Sequence, residues 1–209
     1  MKSSNDIIKM KITSIKQQEK RKDRYSIFVD SKYAFSLSES ALLEQKIAIG
    51  LEVDEQRLKD FKQLSADDKA YGQALRYVAL RSRSLWEMET YLKRKKVAEV
   101  VARKILNKLS DLDLLSDLSF ARSWVQNRRL LKPVSRRRLI QELRQKRVSN
   151  EIIEQVLAED ETDERETLSE LIASKRKQAK YQDNLKLMQY LARQGFGYSD
   201  IKAILQEED

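Results

Sequence analysis

The run SRRRLIQELRQKRVSNEIIEQVL, residues 135–157, decides the fold. Its apolar residues Leu139, Leu143, Val148, Val156 and Leu157 stand at relative positions 0, 4, 9, 17 and 18. The first pair shares one helical face, and the last pair belongs to a second helix beyond a break. Ser135 precedes them as a helix N-cap residue. The same grid occurs upstream as Met88, Leu92, Val97, Ile105 and Leu106, with Ser84 as the cap. It occurs downstream as Leu187, Leu191, Phe196, Ile204 and Leu205, with Asp183 as the cap. Three copies spaced 51 and 48 residues apart indicate a tandem repeat. A unit with one apolar face must bury it on its neighbours. The expected fold is therefore mainly α, an elongated array of three-helix repeats with about nine helices. Such an array suits binding along a polymer better than enclosing a small substrate.

Composition agrees. Four glycines and one proline in 209 residues leave few helix breakers, and 36% of the chain is charged. The first 64 residues read differently. Lys11–Lys16, Arg24–Val29 and Tyr33–Leu37 are β-leaning runs, and Asp30-Ser31-Lys32 makes the last two a hairpin. A helix around Ala41–Ile47 follows, with Gly50 as its C-cap, and Asp54 starts a second helix reaching Leu64. The polar stretch Ser65–Lys69 reads as the domain boundary. The predicted organisation is a small α+β unit over 1–64 and repeats over 70–115, 116–160 and 161–209.

Several functions are excluded or disfavoured. With no histidine and no cysteine, Ser-His and Cys-His nucleophile pairs and ordinary zinc sites are impossible. No Gly-x-x-x-x-Gly-Lys or Gly-x-Gly-x-x-Gly phosphate loop occurs. Asp111, Asp113 and Asp117 form the one acidic cluster beside an apolar segment, and they read as helix-end residues rather than magnesium ligands. The expectation is a protein that is not an enzyme and needs no cofactor, metal or small-molecule substrate. No apolar run is long enough to span a bilayer, and Met1–Asp6 is polar. These features predict a soluble cytoplasmic chain without a membrane partner.

Charge supplies the positive signal. Between Phe120 and Val148 stand ten bases and one acid, Glu142, an excess equal to the net +9 of the whole chain. A solvated helix face ordinarily interleaves signs. Here arginine dominates, and its planar fork suits phosphate or carboxylate oxygens. The candidate binding residues are Arg128, Arg129, Arg136, Arg137, Arg138, Arg144, Lys146 and Arg147, with Arg81, Arg83, Lys93, Arg94, Lys95 and Lys96 secondary. Trp86 and Trp124 could stack bases, but their spacing favours the core. Lys175-Arg176-Lys177 with Lys180 is a further basic cluster.

The chain resembles the RecX family, bacterial modulators of the RecA recombinase. The resemblance rests on Ala74-Leu75-Arg76-Tyr77, Arg81-Ser82-Arg83-Ser84 and Leu92. It continues through Leu115-Ser116-Asp117, Phe120-Ala121, Trp124-Val125, Arg128, Leu139, Glu142-Leu143 and Lys146. Many relatives have Lys-Gly before the apolar residue that closes the second helix, where this chain has Lys96-Val97 and Arg147-Val148. The resemblance implies a non-enzymatic protein that binds RecA filaments on single-stranded DNA. Its expected effect is to limit filament extension or promote disassembly, lowering recombinase and coprotease activity. Duplex DNA would be a further sequence-independent ligand. From the residues alone, two other readings stay open: a nucleic-acid-binding helical repeat with no recombinase partner, and a helical adaptor for an acidic protein.

Overall fold

The computed structural model of the chain describes residues 9–207, so the polar Met1–Asp6 start lies outside the described residues. Strands β1 (Met10–Gln17), β2 (Arg24–Val29), β3 (Lys32–Ser38) and β4 (Glu52–Val53) form an antiparallel sheet in the order β3-β2-β1-β4. The β2–β3 hairpin turns at Asp30 and Ser31, which hold φ of 47° and 65°, a conformation in which short polar side chains are favoured. Ten α-helices complete the described residues. They are α1 (Glu39–Glu44), α2 (Glu55–Ala79), α3 (Leu85–Arg94), α4 (Glu99–Asp111) and α5 (Asp117–Leu131). After these come α6 (Arg136–Gln145), α7 (Asn150–Ala158), α8 (Glu164–Arg176), α9 (Asn184–Arg193) and α10 (Tyr198–Glu207). None of the helices is long and apolar enough to cross a membrane.

Helices α2 to α10 are the nine expected of the repeats, with one correction. The N-terminal unit's second helix and the first repeat's first helix are a single 25-residue helix, α2. Ser65–Lys69 is therefore no linker. Two of its polar residues face the sheet: Ser65 Oγ donates to Ser36 O at 2.6 Å, and Asp68 accepts from Ser38 N and Oγ at 2.9 and 2.6 Å. Arg24, almost fully buried, donates to Asp68 Oδ2 at 2.7 Å and to Ser36 O at 2.8 Å. Polarity here marks a buried network rather than a solvated joint. A second correction concerns Gly50. Helix α1 stops at Glu44 and Lys46 takes the left-handed position, φ 50°, while Gly50 turns the chain into β4, a strand not expected from the sequence.

Two compact units emerge. One comprises the described part of Met1–Ala79 with Leu92–Ile105, and its core includes Ile12, Ile27, Phe35, Leu37, Val53 and Phe61. The other comprises Leu80–Tyr91 and the described part of Leu106–Asp209. Within it, α5–α7 close on Phe120, Val125, Leu139, Leu143, Ile153 and Leu157, and α8–α10 close on Leu168, Ile172, Leu187, Leu191, Phe196 and Ile201. Of the fifteen grid positions only Val97 and Leu106 are not fully buried.

The three caps also hold. Ser84, Ser135 and Asp183 accept from the N–H groups of Glu87, Arg138 and Lys186 at 3.2, 3.1 and 3.0 Å. Each middle helix ends the same way. The N–H groups of Val97, Val148 and Phe196 donate to the carbonyls of Leu92, Leu143 and Leu191, and the residue before each is left-handed: Lys96, Arg147 and Gly195, with φ of 58°, 60° and 94°. This is a Schellman closure with an apolar residue folded back on the helix. Lys96 and Arg147 thus hold a positive φ that glycine would adopt without strain.

Gly195 has a second constraint, since a Cβ there would lie 2.4 Å from Ser135 Oγ. Gly195→Ala should cost about 2 kcal/mol or more, from left-handed strain and overpacking together. Lys96→Gly should gain about 0.5 kcal/mol, the relieved strain being partly offset by unfolded-chain entropy. Urea unfolding midpoints test both, and unchanged midpoints would contradict this account of the turns.

Candidate nucleic-acid interface

Helix α6 presents the site. Leu139, Leu143 and the carboxylate-bearing Glu142 face inward. The rows 136/144 and 137/141/145 therefore face out, with the half-buried Ile140 at the edge of the core. Arg136, Arg137, Ile140, Gln141, Arg144 and Gln145 line a groove of about 1100 Å³, together with Arg147, Trp86 and Glu164. Arg136, Arg137, Arg144 and Arg147 are exposed. Arg136 spends one arm on Leu157 O at 2.7 Å and Arg144 donates to Asn150 at 3.1 Å. Among the described residues no carboxylate pairs with the side chains of these four arginines. Three arginines also occupy the first turn of α6, which holds no acid, although cations are disfavoured at that positive end of the helix. The helix start itself already meets Glu164, whose Oε1 accepts from Arg136 N at 3.3 Å, so a bound anion would chiefly relieve the crowding of the arginines.

The remaining bases of the patch have other duties. Arg122 pairs with Glu159 at 2.7 Å, Arg128 with Glu142 at 2.8 Å and Arg138 with Glu142 at 3.2 Å. Arg129 is nearly buried, gripping Asp160 at 2.7 Å and Val134 O at 2.8 Å. Burial alone would raise the Asp160 pKa, but the hydrogen bonds from Arg129 and Thr162 outweigh it and hold the carboxyl low. Lys146 reaches Glu87 at 2.7 Å, and Arg81 forks onto the same carboxylate at 2.9 and 3.0 Å. Four carboxylates therefore sit on a stretch whose own sequence contains one. Counting charge in a window missed them because Glu87, Glu159 and Asp160 come from outside it.

Of the secondary candidates, Arg83 is half-buried. Lys93, Arg94, Lys95 and Lys96 are exposed in the first compact unit, where Lys95 and Lys96 border a depression with Gln63, Asp67 and Gln73. Arg176 of the downstream cluster is spent on Tyr181 O and Gln182 O, pinning a short turn. Asp117 accepts from Leu85 N at 2.8 Å, so it serves a helix start, and burial raises its pKa against that bond.

The tryptophans divide. Trp124 packs on Phe120 with ring centroids 5.6 Å apart and donates Nε1–H to Glu142, in keeping with a core position. Trp86 departs from expectation: it is 37% exposed and lines the arginine groove. The reason is angular. It lies two residues before the buried Met88, about 200° around the helix at the α-helical repeat of about 3.6 residues per turn. The same repeat position holds Arg137 and Leu185, both exposed, so comparing repeats would have placed Trp86 outside.

Similarity to known proteins follows the same divisions. Residues 10–54 match the model described as the regulatory protein RecX N-terminal domain. Residues 70–109 match the first three-helix domain of RecX, and 116–157 match its second. The chain is 35% identical over 153 residues to the regulatory protein RecX of Lactobacillus johnsonii, covering 73% of this chain and 56% of that relative. It is 35% identical over 150 residues to the namesake from Listeria monocytogenes, covering 72% and 56%. The alignment therefore spans about half the length of these curated relatives. A crystal structure of regulatory protein RecX superposes with a TM-score of 0.68 at 28% identity, covering 94% of this chain and 99% of that one.

The Glu87 hub gives a pH test. Burial pushes this carboxyl up, but hydrogen bonds from Arg81 and Lys146, with their charges, win and hold it at about 2 against an ordinary 4.5. A lowered value means the hub contributes fully above the ordinary range and is lost as pH falls towards 2. Glu87→Gln should cost about 2 kcal/mol near neutral pH. It should also flatten the decline in melting temperature between pH 4.5 and 2, measured by circular dichroism. Parallel pH profiles for wild type and variant would contradict the assignment.

Proposed function

The chain belongs to the RecX family, and from that premise we propose that it is a non-enzymatic regulator that binds RecA filaments on single-stranded DNA in the bacterial cytoplasm. Bound there, it limits filament extension or promotes disassembly, and so lowers strand exchange and RecA-dependent cleavage of repressors. The observation that carries this reading is the α6 groove. Four exposed arginines, none sharing a carboxylate among the described residues, line it beside the exposed indole of Trp86.

Each part of that groove has a counterpart on a single strand. Arginine forks match phosphate oxygens and track a backbone without regard to sequence. An exposed indole offers a face on which any base can stack, worth about 1–3 kcal/mol. Arg128, Arg129, Arg138, Lys146 and Arg81 contribute to the local field, but their side chains are committed to carboxylates. The proposed contact set therefore narrows to Arg136, Arg137, Arg144, Arg147 and Trp86. Weak contacts of this kind gain strength when one chain engages a repetitive filament, because each later contact forms at high effective concentration.

Single-strand-dependent ATP hydrolysis by RecA, with filament assembly followed in parallel, tests the proposal. The wild-type chain should suppress both. The variant R137E/R144E/R147E should bind oligo(dT) at least about tenfold more weakly, with the slope of log K against log salt shallower by about 2. Because all three side chains are exposed, its melting temperature should hold. No suppression by wild type would overturn the regulatory reading. Unaltered oligo(dT) affinity in the variant would remove this groove from it.

A further inference from the structure

A second cavity opens beside α5 and shares no lining residue with the α6 groove. It holds about 410 Å³, with Phe120, Trp124 and Leu131 as its apolar wall and Arg128, Lys132 and Lys146 among its polar residues. Among the described residues no carboxylate lines it. The apolar wall reaches the surface: Leu131 on the last turn of α5 is 76% exposed, and Leu80, the chain neighbour of the lining residue Arg81, is 80% exposed.

We propose that this cavity is a docking site for a protein segment bearing a leucine or aromatic side chain beside a carboxylate. On the regulatory reading given above, that segment belongs to the recombinase. Charge and shape both favour a protein over nucleic acid. Arg128 and Lys146 are already paired with Glu142 and Glu87 at 2.8 and 2.7 Å. Lys132 is exposed and pairs with no carboxylate among the described residues, so the cavity asks for one negative charge rather than a run of phosphates. Trp124 is not a free stacking platform either. Arg128 and Lys146 lie 5.1 and 5.4 Å from its ring centroid, and its Nε1–H is bonded to Glu142. An exposed leucine on an aromatic-walled pocket is what protein contacts use as an anchor. The chain would then hold its filament with two chemically different surfaces: arginines and an indole for the strand, and an apolar socket with one lysine for the protein.

The two tryptophans report on the two surfaces separately. The full chain is labelled with fluorotryptophan, and the fluorine resonances are assigned with Trp86→Phe and Trp124→Phe. RecA free of DNA should shift the Trp124 resonance, and oligo(dT) should shift that of Trp86. The variant L131Q/K132E alters only exposed positions. It should lose on the order of tenfold in affinity for DNA-free RecA, with oligo(dT) affinity and melting temperature unchanged. If RecA binds wild type and variant equally and the Trp124 resonance stays put, the docking site is overturned while the groove reading stands. If oligo(dT) shifts Trp124 together with Trp86 and the variant loses DNA affinity, the cavity belongs to the strand path and the proposal falls. If the wild type neither binds RecA nor suppresses its ATP hydrolysis, the regulatory reading and the docking site fall together.

Discussion

The helix-closing turn is the constraint on which this architecture rests. Five times a helix ends in a left-handed residue, at Lys46, Lys96, Asp113, Arg147 and Gly195. Each time the next residue, Ile47, Val97, Leu114, Val148 or Phe196, donates its N–H to a carbonyl five residues back. The motif satisfies a carbonyl that the helix end would otherwise leave open. It also reverses the chain within a few residues, which lets short helices pack on one another without long loops. Only one of the five left-handed positions is glycine. The other four carry strain of about 1–2 kcal/mol each, and packing of the following apolar residue must offset it. Where that residue is buried, as at Ile47 and Val148, the offset is plain.

That constraint explains what the sequence made legible. The grid of apolar offsets is a record of the turn: positions 0 and 4 lie before it, 9 is the residue folded back, and 17 and 18 lie on the next helix. A pattern fixed by backbone geometry is readable in one dimension, and the N-caps at Ser84, Ser135 and Asp183 were readable for the same reason. What could not be read depended on partners distant in sequence. Ser65–Lys69 looks like a solvated joint until Arg24, Ser36 and Ser38 are placed against Ser65 and Asp68. The two-residue strand β4 exists because β1 offers it an edge at Met10 and Lys11. Trp86 is intermediate: its outward direction was present in the repeat register, but helical spacing alone grouped it with Met88.

The basic patch shows the same limit in electrostatic form. Composition registers how many arginines a segment holds, not how many carboxylates the fold returns to it. Folding sorts the patch into two classes by burial. Arg129 and Asp160 are nearly enclosed, so their pairing is a structural joint whose removal would leave a charge stranded. Arg137, Arg144 and Arg147 stay in water, where repulsion between like charges is softened by screening and costs little. The side chains that hold the bundle together are thus largely distinct from those free to meet a ligand.

This sorting also bears on why the free arginines cluster on α6. Its inward face is already crowded by Leu139, Glu142 and Leu143, and Glu142 takes three partners, Trp124, Arg128 and Arg138. One inward carboxylate therefore holds the bases nearest the core. It leaves the outer rows of the helix without acids of their own, Glu164 being the carboxylate that borders the groove. An acid at Gln141 would pair with Arg137 at i, i+4 and with Arg144 at i, i+3 and steady the isolated helix, whereas one at Gln145 would meet no base at either spacing within α6. The chain instead has glutamine at both positions. A neutral side chain keeps the groove wettable without cancelling its charge, and the small stability given up on the surface preserves a field that an incoming polyanion can use.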